Sequence, residues 1–338
     1  VLQQTVDLQV NPEPLVFSDY PKPQPGPEEI LLQVRFCGVC HTELDEIEGR
    51  TPPPAFPVIP GHQIIGRVAD CGFAVTRHTV NDRVGVAWIY SSCGHCRFCR
   101  QGRENLCPDF LGTGRDVNGG YAEYLVVHQD YALTIPEKLV DSETAPLLCA
   151  GAIGYRSLQL TGLKNGDPLG LTGFGGSGHL VLKLARHHFP DSEIYIFTRN
   201  LVQQDFGLEL GATWAGNIGT PPPRKLQAVI DTTPAWKPVL AALECLRPGG
   251  RIVINAIRKE STDTNLLAKI DYPRHLWLEK EIKSVANVCR SDVDDFLHLA
   301  AKLDIRPEVQ VYPLEEANRA LYDLKNKNVR GAKVLAVS

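Results

Sequence analysis

The sequence predicts a two-domain α/β protein: a β-rich, barrel-like domain built from both chain ends, with a doubly wound parallel sheet between them. Three observations carry that prediction. The chain has 338 residues, enough for two separate cores. Roughly its first 150 residues are rich in Gly, Pro and short apolar runs broken by turn signals, the pattern of a compact β domain. From about Gly151 strands alternate with helical patterns, which marks parallel βαβ units.

Taken in order, the opening VLQQTVDLQV alternates like a strand and lacks a cleavable signal pattern. PEEILLQV, ILLQVRFCGVC, QIIGRVAD, DRVGVAWIY and YAEYLVVH read as strands, whereas PPPAFPVIPG and NKNVRG read as loops. In the second part, residues 169–172 form a strand, followed by a glycine-rich turn and a helix over 179–188. A strand over 193–198, a helix ending at Gly211 and a strand over 228–231 come next. A helix over 238–246, the turn Pro248-Gly249-Gly250, a strand over 251–255 and a last strand over 284–288 complete it. The boundaries fall at 1–152 with 288–338 for one domain, and 153–287 for the other.

Apolar residues make up 43% of the chain and charged residues 22%, with a formal charge of −4, so neither nucleic acid nor an acidic membrane is an expected partner. No apolar run reaches the roughly 18 residues of a spanning helix. The expected location is the cytoplasm. Methionine is absent throughout, and nothing physical in the sequence accounts for it.

Ten cysteines in so long a chain point to metal, since a core of this size needs no disulfide staples. Cys93, Cys96, Cys99 and Cys107 fall within fifteen residues at Cys-x2-Cys-x2-Cys-x7-Cys spacing. Four thiolates so placed close a tetrahedron around zinc and leave no open position, so this zinc is structural. Cys40, His62 and Cys149 offer a second, open set, two thiolates and one imidazole, which matches a catalytic zinc with a free fourth position. Any one of the three alone is more often structural. The other four, Cys37, Cys71, Cys245 and Cys289, sit among apolar neighbours and read as buried inert thiols.

GHQIIGRVADCGFAV, around His62, resembles the zinc signature Gly-His-Glu-x2-Gly-x5-Gly-x2-Val of the zinc-dependent medium-chain alcohol dehydrogenases, and the likeness runs over nearly the whole chain. One departure is plain: Gln63 stands where Glu is usual. The resemblance implies a GroES-like catalytic domain, a Rossmann domain and an active site where the two meet. It implies interconversion of an alcohol and its aldehyde by hydride transfer with a nicotinamide cofactor, and two Zn2+ per chain. By it, Thr42 hydrogen-bonds the substrate hydroxyl, Glu43 orients the histidine ligand, and Asp45 occupies the place of a relay histidine. His41 and Arg330 take positions that contact the cofactor pyrophosphate, and Ile153 one beside the nicotinamide. Relatives pair as homodimers or homotetramers through the nucleotide domains.

Gly173-Phe174-Gly175-Gly176-Ser177-Gly178 is a Gly-x-Gly-x-x-Gly run that follows the strand DPLGLT and opens a helix. That context makes it a dinucleotide turn: Gly173 bends the chain, Gly175 admits the pyrophosphate with Gly176 beside it, and Gly178 lets helix and sheet approach. An acidic residue ending the second strand would select NAD; Thr198 and Arg199 stand there instead. A hydroxyl and a guanidinium suit a 2′-phosphate, so NADP(H) is favoured over NAD(H). Trp88, Ile89, Tyr90, Phe56 and Leu111 are the expected walls of an apolar pocket for a primary alcohol. Three other readings differ in testable features. A zinc-free reductase would lack the Cys40, His62, Cys149 set. A polyol or other carbonyl enzyme would keep the fold and change the pocket. A non-enzymatic zinc module would use the four-cysteine loop alone.

Overall fold

The computed structural model describes residues 1–326 and 331–338, which gather into two compact units: Val1–Ala152 with Val288–Ser338, and Ile153–Asn287. In the first unit β1 (Glu29–Val39) is followed by α1 (His41–Ile47), β2 (Ile64–Cys71), β3 (Arg83–Val86) and β4 (Ile89–Ser91). The short helix α2 (Arg97–Arg100), β5 (Leu111–Gly112), β6 (Tyr124–His128), β7 (Ala132–Thr134) and α3 (Asp141–Thr144) follow. α4 (Ala150–Thr161) leads into the second unit, which holds β8 (Leu169–Thr172), α5 (Gly176–His188), β9 (Ile194–Phe197), α6 (Leu201–Glu209) and β10 (Trp214–Gly216). It continues with β11 (Leu226–Asp231), α7 (Lys237–Cys245), β12 (Leu246–Ile254), α8 (Tyr272–His275) and β13 (Glu281–Ser284). The chain then returns to the first unit with α9 (Arg290–Leu303), β14 (Val309–Pro313), α10 (Ala317–Asn326) and β15 (Ala332–Ala336).

β1 is the spine of the first unit. It pairs antiparallel with β2 over 30–37, and on its other side with β6 over 29–33 and then β15 over 36–39. Ile30, Leu32, Val34, Ile64, Val84 and Val127 fill the core behind it, so a strand partly buried on both faces results. The second unit is a six-stranded parallel sheet in the order β10-β9-β8-β11-β12-β13. β8 and β9 are buried at every position, as strands covered on both faces must be.

Several local expectations shift. VLQQTVDLQV forms no strand; only Leu2 makes isolated bridges, to Val58 and Leu15. α5 starts at Gly176, because glycines at its first turn hide a helix from a periodicity argument. The last strand of the parallel sheet is Glu281–Ser284 and not 284–288. All four of its residues are exposed, so no apolar signal marks it, whereas the buried Val285 and Val288 lie in the loop that follows. β10 and α1 carry too few apolar positions to announce themselves. Cys37 and Cys289 are buried, while Cys71 and Cys245 are only half-buried, so two of the four leftover thiols are not core residues. Among the described residues no helix is long and apolar enough to cross a membrane.

Candidate active site

The end of β1 delivers Cys40, which is the N-cap of α1. Glu43, in the first turn of that helix, accepts a hydrogen bond from the Cys40 amide through Oε2 at 2.8 Å. Its other oxygen, Oε1, faces Nδ1 of His62 at 2.6 Å. One fully buried carboxylate therefore holds two candidate ligands at once, the outer partner that metal-binding imidazoles need. Because Glu43 engages Nδ1, Nε2 of His62 is turned inward, 3.2 Å from Sγ of Cys149. The sulfurs of Cys40 and Cys149 and a ring nitrogen of His62 lie within 4.8 Å of one another. Trp88 closes one side, edge-on to the His62 ring at 4.9 Å.

This donor set fits Zn2+: two sulfurs and one imidazole nitrogen gathered on one side, with a buried carboxylate on the far ring nitrogen. The electrostatics agree. A hydrogen bond from Cys149 draws the Cys40 thiol well below its ordinary pKa despite burial, with His62 adding to the effect. That bond and burial push Cys149 up. Glu43→Gln should weaken metal retention at this set by about tenfold to a hundredfold. Measuring zinc content after dialysis against graded chelator checks it, and an unchanged profile would remove the orienting role.

The four cysteines of the 93–107 loop also converge, with all four sulfurs within 4.8 Å of one another. Amides of the loop point at them: Cys93 N donates to Cys107 Sγ at 3.4 Å, Cys96 N to Cys93 Sγ at 3.3 Å and Cys99 N to Cys96 Sγ at 3.5 Å. Gly94 and Gly102 sit at φ of 73° and 66°, left-handed conformations that let the loop fold back on itself. Four converging thiols, three of them accepting backbone N–H bonds, suit a closed, structural zinc.

In the second unit Gly173, at φ 79°, turns the chain after β8; a Cβ there would meet Thr232 Oγ1 at 2.6 Å. A Cβ on Gly178 would meet the Gly173 carbonyl at 3.0 Å, so helix and turn approach as closely as glycine permits. Gly175 caps α5 without a side-chain bond, and nothing lies within 4 Å of where a Cβ on Gly175 or Gly176 would sit. Open space over the uncapped start of a thirteen-residue helix is a fitting cradle for a pyrophosphate.

Comparison with known proteins agrees with this geometry. A family model described as the alcohol dehydrogenase GroES-like domain matches residues 26–137. A probable alcohol dehydrogenase, AdhA, of Mycobacterium tuberculosis is 42% identical over 320 residues, covering 93% of this chain and 90% of that protein. This chain belongs to the zinc-dependent medium-chain alcohol dehydrogenase family. An alcohol dehydrogenase of Geobacillus stearothermophilus is 31% identical over 343 residues, covering 96% of this chain and 97% of its own. A solved cinnamyl alcohol dehydrogenase from Sorghum bicolor superposes with a TM-score of 0.82 at 28% identity, covering 94% of this chain and 92% of that one. A thermostable alcohol dehydrogenase from Pyrobaculum aerophilum, with cobalt and zinc bound, shares the fold at a TM-score of 0.86 and 24% identity, covering 97% of each chain. At the level of the family the activity is zinc-dependent alcohol dehydrogenation with a nicotinamide cofactor.

The remaining predicted positions of this dehydrogenase divide into those the fold assembles and those it commits elsewhere. Thr42 is half-buried, with its hydroxyl 3.6 Å from the Cys40 sulfur. Asp45 is neither a solvated loop residue nor a free base: it is buried on α1 and bound by Arg50 Nε at 2.5 Å. Gln63 is buried, and its carboxamide lies against the β1 backbone at Gly38, where a Cβ would come within 2.2 Å of Oε1. Thr198 is also committed, since its hydroxyl donates to Gln203 Oε1 at 2.7 Å, while Arg199 is exposed. His41 is exposed at the start of α1, and Ile153 is half-buried on α4. Arg330 lies outside the described residues. Of the pocket candidates, Trp88 faces His62 and Tyr90 packs partly on the core, but Ile89 belongs to that core and Phe56 and Leu111 are exposed. Sequence reasoning missed Glu46, buried one turn beyond Glu43, and the Gln203 contact. Recognising α1 as a helix would have found the first; nothing in the sequence pointed to the second.

Proposed function

We propose that this dehydrogenase interconverts a primary alcohol and its aldehyde, holds two Zn2+ per chain and prefers NADP(H) to NAD(H). The observation that carries this reading is the convergence of Cys40, His62 and Cys149 on one point, with Glu43 bridging two of them. Zinc bound at that set supplies Lewis-acid polarisation of the substrate oxygen, and the nicotinamide supplies the hydride acceptor or donor. The chain's own residues do the rest. Thr42, whose hydroxyl lies beside the Cys40 sulfur, accepts a hydrogen bond from the substrate hydroxyl and takes up its proton while passing its own to solvent. With Asp45 held by Arg50, that proton leaves through water. Glu43 keeps His62 in one tautomer and orientation. Trp88 excludes water from one flank and gives the substrate an apolar wall.

Gly173, Gly175, Gly176 and Gly178 cradle the pyrophosphate at the start of α5. Arg199 is the group that reads the 2′-phosphate; its exposure and the lack of a carboxylate at the end of β9 support that role. Arg199→Ala should raise KM for NADPH about tenfold, a loss of about 1.4 kcal/mol, and leave KM for NADH within about twofold. Equal effects on both cofactors would remove the 2′-phosphate role. Initial rates of reduction of an aliphatic and an aromatic aldehyde, with NADPH and NADH at equal concentration, test the whole reading. Faster turnover with NADPH is expected.

A second copy of the chain is proposed to pair along β13. That strand closes the parallel sheet on one side, with Ile282 44% exposed, and nearby Trp277 and Leu278 are 55% and 51% exposed.

A further inference from the structure

α1 carries a second carboxylate that the chemistry above does not use. Glu46 lies three residues after Glu43 and four after Thr42, spacings that put all three on one side of the helix. It is 2% exposed, and its Oε1 has no hydrogen-bond partner among the described residues. An unpaired buried carboxylate normally costs several kcal/mol or stays protonated. Arg115 also acts on it, but its Nη1 pairs with Asp116 at 3.1 Å and it makes no ion pair with Glu46 among the described residues. Glu46 stands one helical turn beyond Glu43, the carboxylate that meets both the Cys40 amide and His62, and the charges of Glu43, His62 and Cys40 act on it. Gln63, the residue beside His62, is uncharged and packed against Gly38. Glu46 is therefore the further carboxylate available behind this set.

We propose that Glu46 is a positioning residue for the metal: a second buried carboxylate on α1 that raises the affinity of the Cys40, His62, Cys149 set for a divalent cation. The inference rests on the zinc reading of that set. In the absence of a cation, burial and then the neighbouring charge of Glu43 push the Glu46 carboxyl up to about 9, so the group is a burden to the fold. A dication held by Cys40, His62 and Cys149 would favour the ionised form of both carboxylates, since charge attraction is strong in a buried site. A carboxyl that stays protonated without metal and ionises beside a bound dication ties occupancy of the site to the packing of α1.

The test uses the full chain, stripped of metal and titrated with Co2+ in competition with a chelator, reading the visible absorption of thiolate-bound cobalt. Cys40→Ser identifies which metal equivalent belongs to the Cys40, His62, Cys149 set. Glu46→Gln should weaken that equivalent by about tenfold, the lower end of the range for outer partners, and leave the four-cysteine equivalent unchanged. Glu46→Asp should recover part of the loss. The melting temperature of the metal-free protein should stay level or rise in Glu46→Gln, since an amide is cheaper to bury than a carboxylate. Unchanged cobalt affinity at the Cys40 set would overturn the inference and leave the enzyme reading intact. A metal-free melting temperature that falls, with both equivalents weakened alike, would also overturn it, by making Glu46 a folding residue. If the wild-type chain shows no metal at the Cys40 set, the zinc reading fails and the inference with it.

Discussion

Cys40→Ser is expected to lower turnover by at least about a thousandfold, some 4 kcal/mol at 1.36 kcal/mol per factor of ten. The reason is the number of contacts that converge on this residue. Its sulfur is one of three atoms within 4.8 Å that define the open set. Its amide anchors Glu43, and Glu43 in turn holds His62. Serine keeps the backbone anchor, so the carboxylate and imidazole stay in place while a soft ligand is lost. The fold should survive: Cys40 is half-buried at a helix N-cap and outside the apolar core. Circular dichroism and melting temperature should therefore be close to wild type, while zinc analysis falls by one equivalent per chain. Retained activity with two equivalents of zinc would overturn the ligand assignment.

Cys99→Ser should show the opposite pattern, a large loss of stability that precedes any loss of chemistry. Cys99 lies 3.9 Å from Cys93 and 3.6 Å from Cys96, so its removal opens the tetrahedron at its centre. The loop is also a junction. Glu104, inside it, accepts bonds from the amide and Nε of Arg290, both at 3.1 Å, and Asn105 accepts one from Cys289 at 3.0 Å. Those are the N-cap and first residue of α9, where the chain re-enters the first unit. Arg290 also lies over Tyr131, whose hydroxyl accepts a hydrogen bond from the Ser92 amide at 2.9 Å next to the first cysteine. Loss of the proposed structural zinc should cost about 4 kcal/mol and lower the melting temperature by about 10 °C for a domain of this size. Differential scanning calorimetry of wild type and variant measures it. A melting temperature within about 2 °C of wild type would show that the loop stands without metal.

The parts of this molecule that were legible in the sequence are those that local chain geometry closes. Residues 93–107 are too short to place four cysteines far apart, and the structure brings their sulfurs together. The glycines from Gly173 to Gly178 follow a fully buried strand and open a helix, so their close contacts with one another follow from the turn alone, whereas the contact with Thr232 needs β11 beside β8. β8 and β9 were equally plain, because strands covered on both faces are continuous apolar runs. β13 was misplaced for the converse reason: an exposed edge strand such as Glu281–Ser284 has no buried side to leave a pattern.

What the sequence by itself determined is therefore the pair of local motifs, the family they belong to and the alternation that makes the parallel sheet. Tertiary structure alone decided the rest. Cys40, His62 and Cys149 come from three separate segments: the antiparallel pairing of β1 and β2 brings the first two together, and Cys149 joins them from the end of a turn whose Leu147 and Leu148 are buried. Glu43 became the bridge between two of them only because α1 starts at Cys40. Thr198, which the sequence offered to the cofactor, is bound to Gln203, and Asp45, which stood in a relay position, is bound to Arg50. A residue's type and position state which bonds it can make. Which bond it does make depends on which partner packing brings within about 3 Å, and sequence distance does not encode that.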